Sequence, residues 1–417
     1  MIKNRKSDIL QYTKMYTDMI RYLNADLTEL LDIPELVVDD YEIQRGVVFI
    51  HAHPKENKSA CNKCGSKKVK VEETLPKRVI RDRDIFGKQC FIIIHPRRYK
   101  CLNCENRFTE GFDFLDPRKS YTKRFAEWIH KIAQKTDINF VSKLEGIGYK
   151  KVEGIFYRLS KERIRLKKEI SFTKLGIDEI AMKKGHKDFI TIISDLTNGK
   201  PIAVLPERTK ECLDEFFDGM EGKTKKRIKE VSIDMWGPYF DVIKEHLPKA
   251  KIVIDRFHVQ THLNDALTKV RRKIQKDLTD EQKEAIKGSR WPLVKNEEHL
   301  TQEEKKKLNE VFLACPLLKK YHHAKEQFRE IFEEVDSRDY AGKKINQWIE
   351  GIHQENLFHY GKFITTLQNW KQYILNYFIS KTTNGFVEGL NNKIKLLKRI
   401  GFGFTNFEHF RLRILQI

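Results

Sequence analysis

Three short apolar runs of the sequence each end at an aspartate. The runs, each with the acid that follows it, are Leu175–Ile177 with Asp178, Val231–Ile233 with Asp234, and Ile252–Ile254 with Asp255. Such runs are typical of buried strands, and ligands bind beyond the carboxyl ends of strands in open α/β sheets. Carboxylates gathered there would hold hard divalent cations such as Mg²⁺ or Mn²⁺. For each acid alone, capping of a following helix is the alternative interpretation.

The elements around these acids predict a sheet that brings them together. Pro238–Leu247 carries apolar residues at the spacing of one helix face, so residues 229–259 predict a strand, a helix and a neighbouring, usually parallel strand. Residues 172–206 predict three strands, the last two joined by the hairpin signal Asn198-Gly199. A helix is predicted at Glu211–Met220. The order β-β-β-α-β-α-β is that of an RNase H-like core, and we predict an α/β multidomain fold containing one.

A fourth acid lies on an amphipathic helix predicted at Asn384–Ile400. Its apolar stripe leaves Glu388 on the opposite face, and the amide and basic residues of that polar face are Asn391, Asn392, Lys395 and Arg399. A solvated helix acid is the alternative. Two like charges ~4 Å apart cost about 4 kcal/mol at an effective dielectric of ~20, so clustered carboxylates favour bound cations. Two such ions can activate a water or a 3′-hydroxyl at a phosphodiester.

Two CxxC pairs predict a structural metal site. Cys61, Cys64, Cys101 and Cys104 have the spacing within each pair that suits four thiolates around one Zn²⁺. The gap between the pairs is long, and we expect a hairpin from residues 77–99 to fill it. Four ordinary thiols are the alternative. The remaining cysteines are predicted to be core residues, and they are Cys90, Cys212 and Cys315.

Residues 120–168 predict three helices, the second ending at Gly146-Ile147-Gly148. A helix, a glycine-containing turn and a second helix form the helix-turn-helix pattern that places a helix in the major groove of DNA. The third helix is rich in basic residues, and the candidates for DNA contact are Lys150, Lys151, Arg158, Lys161, Arg163 and Arg165. Any small three-helix bundle would give the same apolar pattern.

The composition of the chain favours a polyanionic partner. The 417 residues contain 80 Lys and Arg against 59 Asp and Glu, a formal net charge of +21. Nucleic acid is therefore the expected partner, with a membrane surface as the second choice. The first residues lack the apolar centre of a signal peptide, and no apolar run approaches membrane-spanning length. With four of the seven cysteines in CxxC pairs, we expect a reducing, cytoplasmic location.

Residues 261–378 predict a charged, almost wholly helical block inserted into the sheet domain. Thr279 with Gln282 and Thr301 with Glu304 have capping-box spacing and are expected to start two of its helices. Trp291 follows Gly288 near a break in the pattern. It could stack on an unpaired base, but we expect a core tryptophan.

The sequence resembles the ISL-three family of bacterial insertion-sequence transposases over nearly its whole length. The motifs that carry the resemblance are CNKCGS…CLNC, LGIDEI around Asp178, SIDMWGPY around Asp234, VIDRFHV around Asp255 and NGFVEGLNNKIKLLKRIGFGF around Glu388. The resemblance implies a metal-dependent DDE transposase with the catalytic and Mg²⁺- or Mn²⁺-binding triad Asp178, Asp234 and Glu388. It implies supporting roles for Asp255 and His258, which fit a DxxH pattern.

The resemblance also implies partners and a domain plan. The expected partners are double-stranded DNA, as terminal inverted repeats and as target, and further copies of the chain when it is assembled on DNA in the bacterial cytoplasm. The predicted domains are an N-terminal helical segment (1–40), a zinc ribbon (41–115), a helix-turn-helix (116–168), the first part of the core (171–261), the helical insertion (262–379) and the last part of the core (380–417). A transposase-derived DNA-binding regulator without catalysis is the alternative function.

Overall fold

The computed structural model describes residues 27–55, 60–166, 172–182, 189–382 and 385–417, and the chain divides into two compact units, Met1–Arg165 and Leu166–Ile417. The strands of the first unit are β1 (Leu36–Gln44), β2 (Val47–Pro54), β3 (Val69–Thr74), β4 (Arg78–Ile85), β5 (Lys88–Ile94), β6 (Arg97–Cys101) and β7 (Arg107–Thr109). Its helices from residue 123 onward are α1 (Lys123–Ala133), α2 (Ile138–Glu145) and α3 (Tyr149–Leu166).

The first unit contains two sheets. One has the strand order β1-β2-β5-β4, with β2 and β5 parallel and the other neighbours antiparallel. The other is the antiparallel sheet β3-β6-β7. The predicted hairpin at residues 77–99 exists as β4 and β5, but it belongs to the four-stranded sheet because the fully buried Ile80 and Ile92 form part of that sheet's core. β3, β6 and β7 form the sheet that carries the cysteines.

The N-terminal part of the chain differs from the predicted plan. Most of the helix predicted in residues 1–40 lies outside the described residues, and residues 27–31 are helical. β1 already begins at Leu36, so the predicted limit at residue 40 falls inside this strand. Leu36 and Val38 are buried, whereas the exposed acids Asp39 and Asp40 obscure the strand pattern in the sequence.

Side-chain caps define the helices α1 and α2. Thr122 accepts a hydrogen bond from the backbone N–H of Phe125, and Asp137 accepts one from that of Phe140. Gly146 ends α2 with φ +64°, a left-handed conformation that glycine adopts at little cost. Arg124 of α1 pairs with the buried carboxylate of Asp82 on β4, and this ion pair attaches the helices to the four-stranded sheet.

The second unit is built on a five-stranded sheet. Its strands are β8 (Lys174–Ala181), β9 (Phe189–Asp195), β10 (Lys200–Leu205), β11 (Glu230–Ile233) and β12 (Lys251–Ile254). The strand order is β10-β9-β8-β11-β12, with β8, β11 and β12 mutually parallel and β8, β9 and β10 an antiparallel meander. The first helices of this unit are α4 (Lys210–Asp218), α5 (Gly222–Arg227) and α6 (Gly237–His246). α5 was not predicted because its sequence, GKTKKR, has no apolar residue.

Ten α-helices follow in the described residues, and those from α7 to α14 form one apolar core with the sheet. The ten are α7 (Arg256–Ile274), α8 (Asp280–Ile286), α9 (Arg290–Val294), α10 (Gln302–Ala314), α11 (Pro316–Glu334), α12 (Arg338–Gln354), α13 (Gly361–Leu375), α14 (Tyr377–Ser380), α15 (Gly385–Ile400) and α16 (Phe407–Ile414). Both predicted capping boxes are confirmed, at Thr279 with Gln282 and at Thr301 with Glu304. In the described part of the chain, no helix is both long and apolar enough to cross a membrane.

The prediction for Trp291 is wrong. Its side chain is 64% exposed and carries the guanidinium of Arg290 over its ring, 4.9 Å from the ring centre. The short helix α9 buries Pro292 and Leu293 instead, so the turn of the helix that faces the core has no place for the indole.

Candidate active site and metal centre

The three aspartates predicted to follow strands lie at the same level of the sheet. Ser232 of β11 pairs with Gly176 of β8, so two residues further on Asp234 follows the register of Asp178. Ile233 pairs with Ile254 of β12, so one residue further on Asp234 and Asp255 correspond. The parallel pairing of β8, β11 and β12 therefore brings the three acids side by side. Asp234 and Asp255 follow the ends of β11 and β12, as predicted, whereas β8 continues past Asp178 to Ala181 and keeps this acid within the strand.

α15 brings Glu388 to the cleft that Asp178 also lines. The Nδ2 of Asn391 donates a hydrogen bond to Oδ2 of Asp178 at 2.6 Å, and Glu388 lies three residues earlier, on the same helix face. Gly176 permits the close approach of this helix, because a Cβ there would lie 3.2 Å from Cγ2 of Val387. Lys398 forms a second link by donating to the carbonyl of Ala181 at the end of β8.

Asp234 and Asp255 have different surroundings. The Nδ1 of His258 lies 3.5 Å from Oδ1 of Asp234, so the first turn of α7 reaches the end of β11. Asp255 is buried and caps α7 by accepting a hydrogen bond from the backbone N–H of Phe257. The capping alternative thus describes Asp255, whose buried carboxylate also orients the helix that carries His258.

These residues surround a cleft with a volume of about 510 Å³. Asp178, Asp255, His258 and Glu388 line it, and Asp234 adjoins it through His258. The cleft continues along α7 toward residues outside the predicted site, and these are Gln260, Thr261, Asn264, Asn296, Arg329, Phe332 and Glu333. Exposed cationic side chains at this cleft are Arg256 and Lys395.

The donors in the cleft fit a hard divalent cation, since the carboxylates of Asp178 and Glu388 offer oxygen ligands beside the amide-rich face of α15. Within the described residues, however, only the cysteines are gathered closely enough to form a ready set of three or more metal ligands. Asp178 uses one carboxylate oxygen to accept from Asn391. Sequence reasoning had put Asn391 on the polar face of its helix but had not predicted this contact.

A second acid next to Asp178 escaped the sequence analysis. Because successive side chains of a strand point to opposite faces, Glu179 lies on the other face of β8 from Asp178. It pairs with Arg208, whose guanidinium lies 4.4 Å from the ring centre of Trp236. Burial raises the pKa of the Glu179 carboxyl to about 7; Arg208 opposes this shift and the charges of Asp234 and Asp178 add to it. The pair connects β8 to the segment after β10, and the stacking of Arg208 on Trp236 adds the segment after β11. No sequence motif marks these contacts.

The four predicted cysteines form one cluster. Their Sγ atoms all lie within 4.8 Å of one another, with 3.6 Å between those of Cys61 and Cys104 and 3.7 Å between those of Cys64 and Cys101. Sulfurs bound tetrahedrally at ~2.3 Å from a zinc ion are about 3.8 Å apart. The donor set and its dimensions therefore support a structural Zn²⁺.

Each CxxC pair forms the same turn around its first cysteine. The backbone N–H groups of Lys63 and Asn103 point at the Sγ atoms of Cys61 and Cys101, at 3.5 Å and 3.4 Å. The backbone N–H of Cys64, with smaller contributions from that of Lys63 and from the neighbouring thiols, lowers the pKa of the Cys61 thiol to about 6 against the opposing effect of burial. This favours the thiolate form that zinc requires. Of the other cysteines, Cys90 and Cys315 are buried, as predicted, and Cys212 is partly buried.

The basic residues of α3 divide into two groups. Lys150 pairs with Glu153 at 2.8 Å, Arg158 with Asp116 at 3.2 Å, and Arg163 with Glu127. Lys151 donates to the hydroxyl of Ser120 at 3.0 Å, and its partial burial lowers its pKa. Lys161 and Arg165 are exposed and form no ion pair among the described residues.

Comparison with known protein families gives two matches within this chain. A family described as "Transposase", the ISL-three group, matches residues 175–414, which contain the sheet of the second unit, the helical block and α15. A family described as "zinc-finger of transposase IS204/IS1001/IS1096/IS1165" matches residues 58–104, which contain all four clustered cysteines. The resemblance inferred from the motifs is thereby confirmed.

Individual relatives agree with these matches along most of the chain. The transposase for insertion sequence element IS1001 of Bordetella parapertussis is 29% identical over 373 residues, covering 88% of this chain and 90% of that protein. The transposase for insertion sequence element IS1557, from two strains of Mycobacterium tuberculosis, is 24% identical over 371 residues, covering 83% of this chain and 82% of the relative.

Proposed function

This chain belongs to the ISL-three family of transposases, and from that premise we propose that it is a DDE transposase with an RNase H-like catalytic core. It binds the ends of an insertion sequence and catalyses metal-dependent cleavage and transfer of DNA strands. The catalytic residues are Asp178, Asp234 and Glu388, with Asp255 and His258 in supporting roles.

One observation carries this proposal. The sheet order is β10-β9-β8-β11-β12, a meander followed by two parallel strands, and it brings Asp178, within β8, level with Asp234, which follows the adjacent parallel strand β11. α15 returns to this level of the sheet after the helical block and brings Glu388 into the cleft that Asp178 lines. Acids separated widely in the chain meet at the edge where α/β sheets bind ligands, which is the arrangement that phosphodiester chemistry with divalent cations requires.

The residues of the cleft have different roles in this reaction. Asp178, Asp234 and Glu388 would hold the divalent cations, which when bound activate the attacking hydroxyl and stabilise the leaving oxygen. Asn391 orients Asp178 by its 2.6 Å hydrogen bond, and Asp255 fixes the start of α7 so that His258 stays beside Asp234. The cations of Arg256 and Lys395 at the cleft balance the charge of the DNA backbone.

The first unit would bind the DNA ends. α2, the turn at Gly146-Ile147-Gly148 and α3 have the order of a helix-turn-helix, and we assign phosphate contacts chiefly to Lys161 and Arg165, which are exposed. The other basic residues of α3 would contact DNA phosphates once they release their partners within the protein. They are Lys150, Lys151, Arg158 and Arg163. The zinc ribbon completes the unit, and the chain assembles as an oligomer on paired DNA ends.

The test is a strand-transfer assay with the full chain. A labelled duplex that contains the inverted repeat flanking the reading frame, continued by DNA from outside the element, is incubated with a supercoiled plasmid and Mg²⁺. We expect cut ends and labelled DNA joined to the plasmid. Specific binding of the end without any cut or joined product would show a DNA-binding regulator instead.

A further inference from the structure

The cleft contains more hydrogen-bonding capacity than the catalytic acids explain. Three buried side-chain atoms that belong to residues of this cleft have no hydrogen-bond partner among the described residues. They are Nε2 of Gln260, Oδ1 of Asn264 and Oδ1 of Asn391. Leaving a buried donor or acceptor unpaired costs ~1–3 kcal/mol, so such atoms gathered in one cleft indicate a ligand that pairs with them.

Two of these residues belong to one face of α7. Gln260 and Asn264 are four residues apart and therefore adjacent on the helix surface. Phe257, three residues before Gln260 on the same helix, also lines the cleft, and its side chain is 52% exposed. An exposed aromatic ring next to two neighbouring amides provides a surface for stacking and, beside it, hydrogen-bond donors and acceptors. Neither is needed to hold cations.

The size of the cleft limits what can enter it. Its volume of about 510 Å³ lies within the ~300–1,000 Å³ range of small-molecule pockets. A pocket of this size suits a single nucleotide detached from its stack, the unit that enzymes acting on an extruded base take into a pocket.

We propose that the α7 face formed by Phe257, Gln260 and Asn264 binds one unpaired nucleotide of the DNA end, next to the scissile phosphate. The inference rests on the proposed function, because it is the strand in the acidic cleft that supplies this nucleotide. The base stacks on Phe257, and its edge pairs with the two amides.

The chemistry of the amides favours a nucleobase over other ligands. Whichever way each amide is turned, it presents one donor group and one acceptor group, the combination that pairs with a base edge. Aromatic stacking is available to every base because each has a π-face. Arg256 and Lys395, exposed at the same cleft, can hold the attached phosphates.

The test measures binding of the full chain to two labelled DNA ends by fluorescence anisotropy. Both are duplexes with the inverted repeat and one unpaired 3′-terminal position. This position carries a normal nucleotide in one and an abasic sugar-phosphate in the other. Ca²⁺ replaces Mg²⁺ so that binding is measured apart from cleavage. For the unaltered chain we expect the nucleotide to strengthen binding roughly tenfold over the abasic end.

Variants locate the effect on α7. The double variant Gln260→Leu/Asn264→Leu and the single variant Phe257→Ala should each reduce the tenfold preference to about twofold or less, while binding of the abasic end is unchanged. Phe257 is exposed, so its replacement tests the proposal without disturbing the core. Asn309→Leu removes an exposed amide of α10 outside the cleft and should keep the full preference.

Two results would overturn the inference. One is equal binding of the nucleotide and abasic ends by the unaltered chain; the other is an undiminished preference in all α7 variants. If the unaltered chain nevertheless cuts and joins DNA in the strand-transfer assay, the proposed function stands and only the nucleotide site fails. If it binds neither end, both fail.

Discussion

Asn391 donates a hydrogen bond from Nδ2 to Oδ2 of Asp178 at 2.6 Å, across 213 positions of the chain. The bond joins the helix that carries Glu388 to the central strand of the sheet. It therefore fixes the relative position of two of the proposed catalytic acids and orients one of them.

Asn391→Ala should slow DNA cleavage while leaving DNA binding unchanged. A hydrogen bond to a charged group contributes ~1.5–3 kcal/mol, so we expect a loss of roughly ten- to a hundredfold in the cleavage rate. Lys393→Ala, on the exposed side of the same helix, is the control and should cleave normally. An unchanged rate in Asn391→Ala would remove this residue from the account.

Cys101→Ser should abolish zinc binding. The four sulfurs are arranged to bind one metal ion, and loss of one thiolate opens the site. We expect about one zinc ion per chain in the unaltered protein by mass spectrometry of the metal and close to none in the variant. Limited proteolysis should show cleavage in residues 60–109 with the second unit intact. Cys212→Ser, outside the cluster, should retain its zinc; zinc-free but well-folded unaltered protein would contradict the assignment.

The two groups of basic residues on α3 should differ in their effect on DNA binding. Lys161→Ala and Arg165→Ala should each flatten the log–log salt dependence of the binding constant by ~0.9, as expected for one lost phosphate contact. Arg158→Ala and Arg163→Ala should flatten it less, because these side chains are already paired with Asp116 and Glu127. Equal slopes in all four variants would argue against this division.

Glu179→Gln should change how stability depends on pH. Burial raises the pKa of Glu179 in the folded chain to about 7, whereas the ordinary pKa of a glutamate is 4.5, so between these values the folded state holds a proton that the unfolded state has lost. This contribution to stability is present below about pH 4.5 and is lost as the pH rises to about 7.

Glutamine resembles the protonated acid and does not titrate. The free energy of unfolding of the variant, relative to that of the unaltered chain, should therefore rise between pH 5 and pH 8 by at most about 3 kcal/mol. Thermal unfolding of both proteins across this range measures the difference. A constant difference would mean that Glu179 is ionised throughout.

Local patterns in the sequence predicted the elements that carry the site. The apolar runs located β8, β11 and β12, and the acid after each run led to the inference that the acids meet beside one another. The end predicted for β8 at Asp178 is wrong, because the strand continues to Ala181 and buries Ile180. The Asn198-Gly199 signal likewise corresponds to the turn between β9 and β10, where Gly199 has φ +63°.

Contacts between distant segments could not be predicted in this way. The bond from Asn391 to Asp178 and the pair of Glu179 with Arg208 depend on how helices pack on the sheet, and neither leaves a spacing signal. Trp291 was misjudged because a large apolar residue near a helix break has no periodicity to show which side it takes. The domain limits predicted at residues 40 and 261 fall inside β1 and α7 for a similar reason, since charged residues interrupt both patterns.

Cleavage by triad variants tests the central claim most directly. Asp178→Asn, Asp234→Asn and Glu388→Gln preserve shape and remove a ligand charge, and each is compared with Glu333→Gln, an acid of the same cleft that pairs with Arg329. If a lost ligand is worth ~4 kcal/mol, each triad variant should cut terminal DNA roughly a thousandfold more slowly while binding it normally. The Glu333 variant should stay within a few-fold of the unaltered chain. Near-normal cleavage by Glu388→Gln would contradict the account and place the third acid elsewhere.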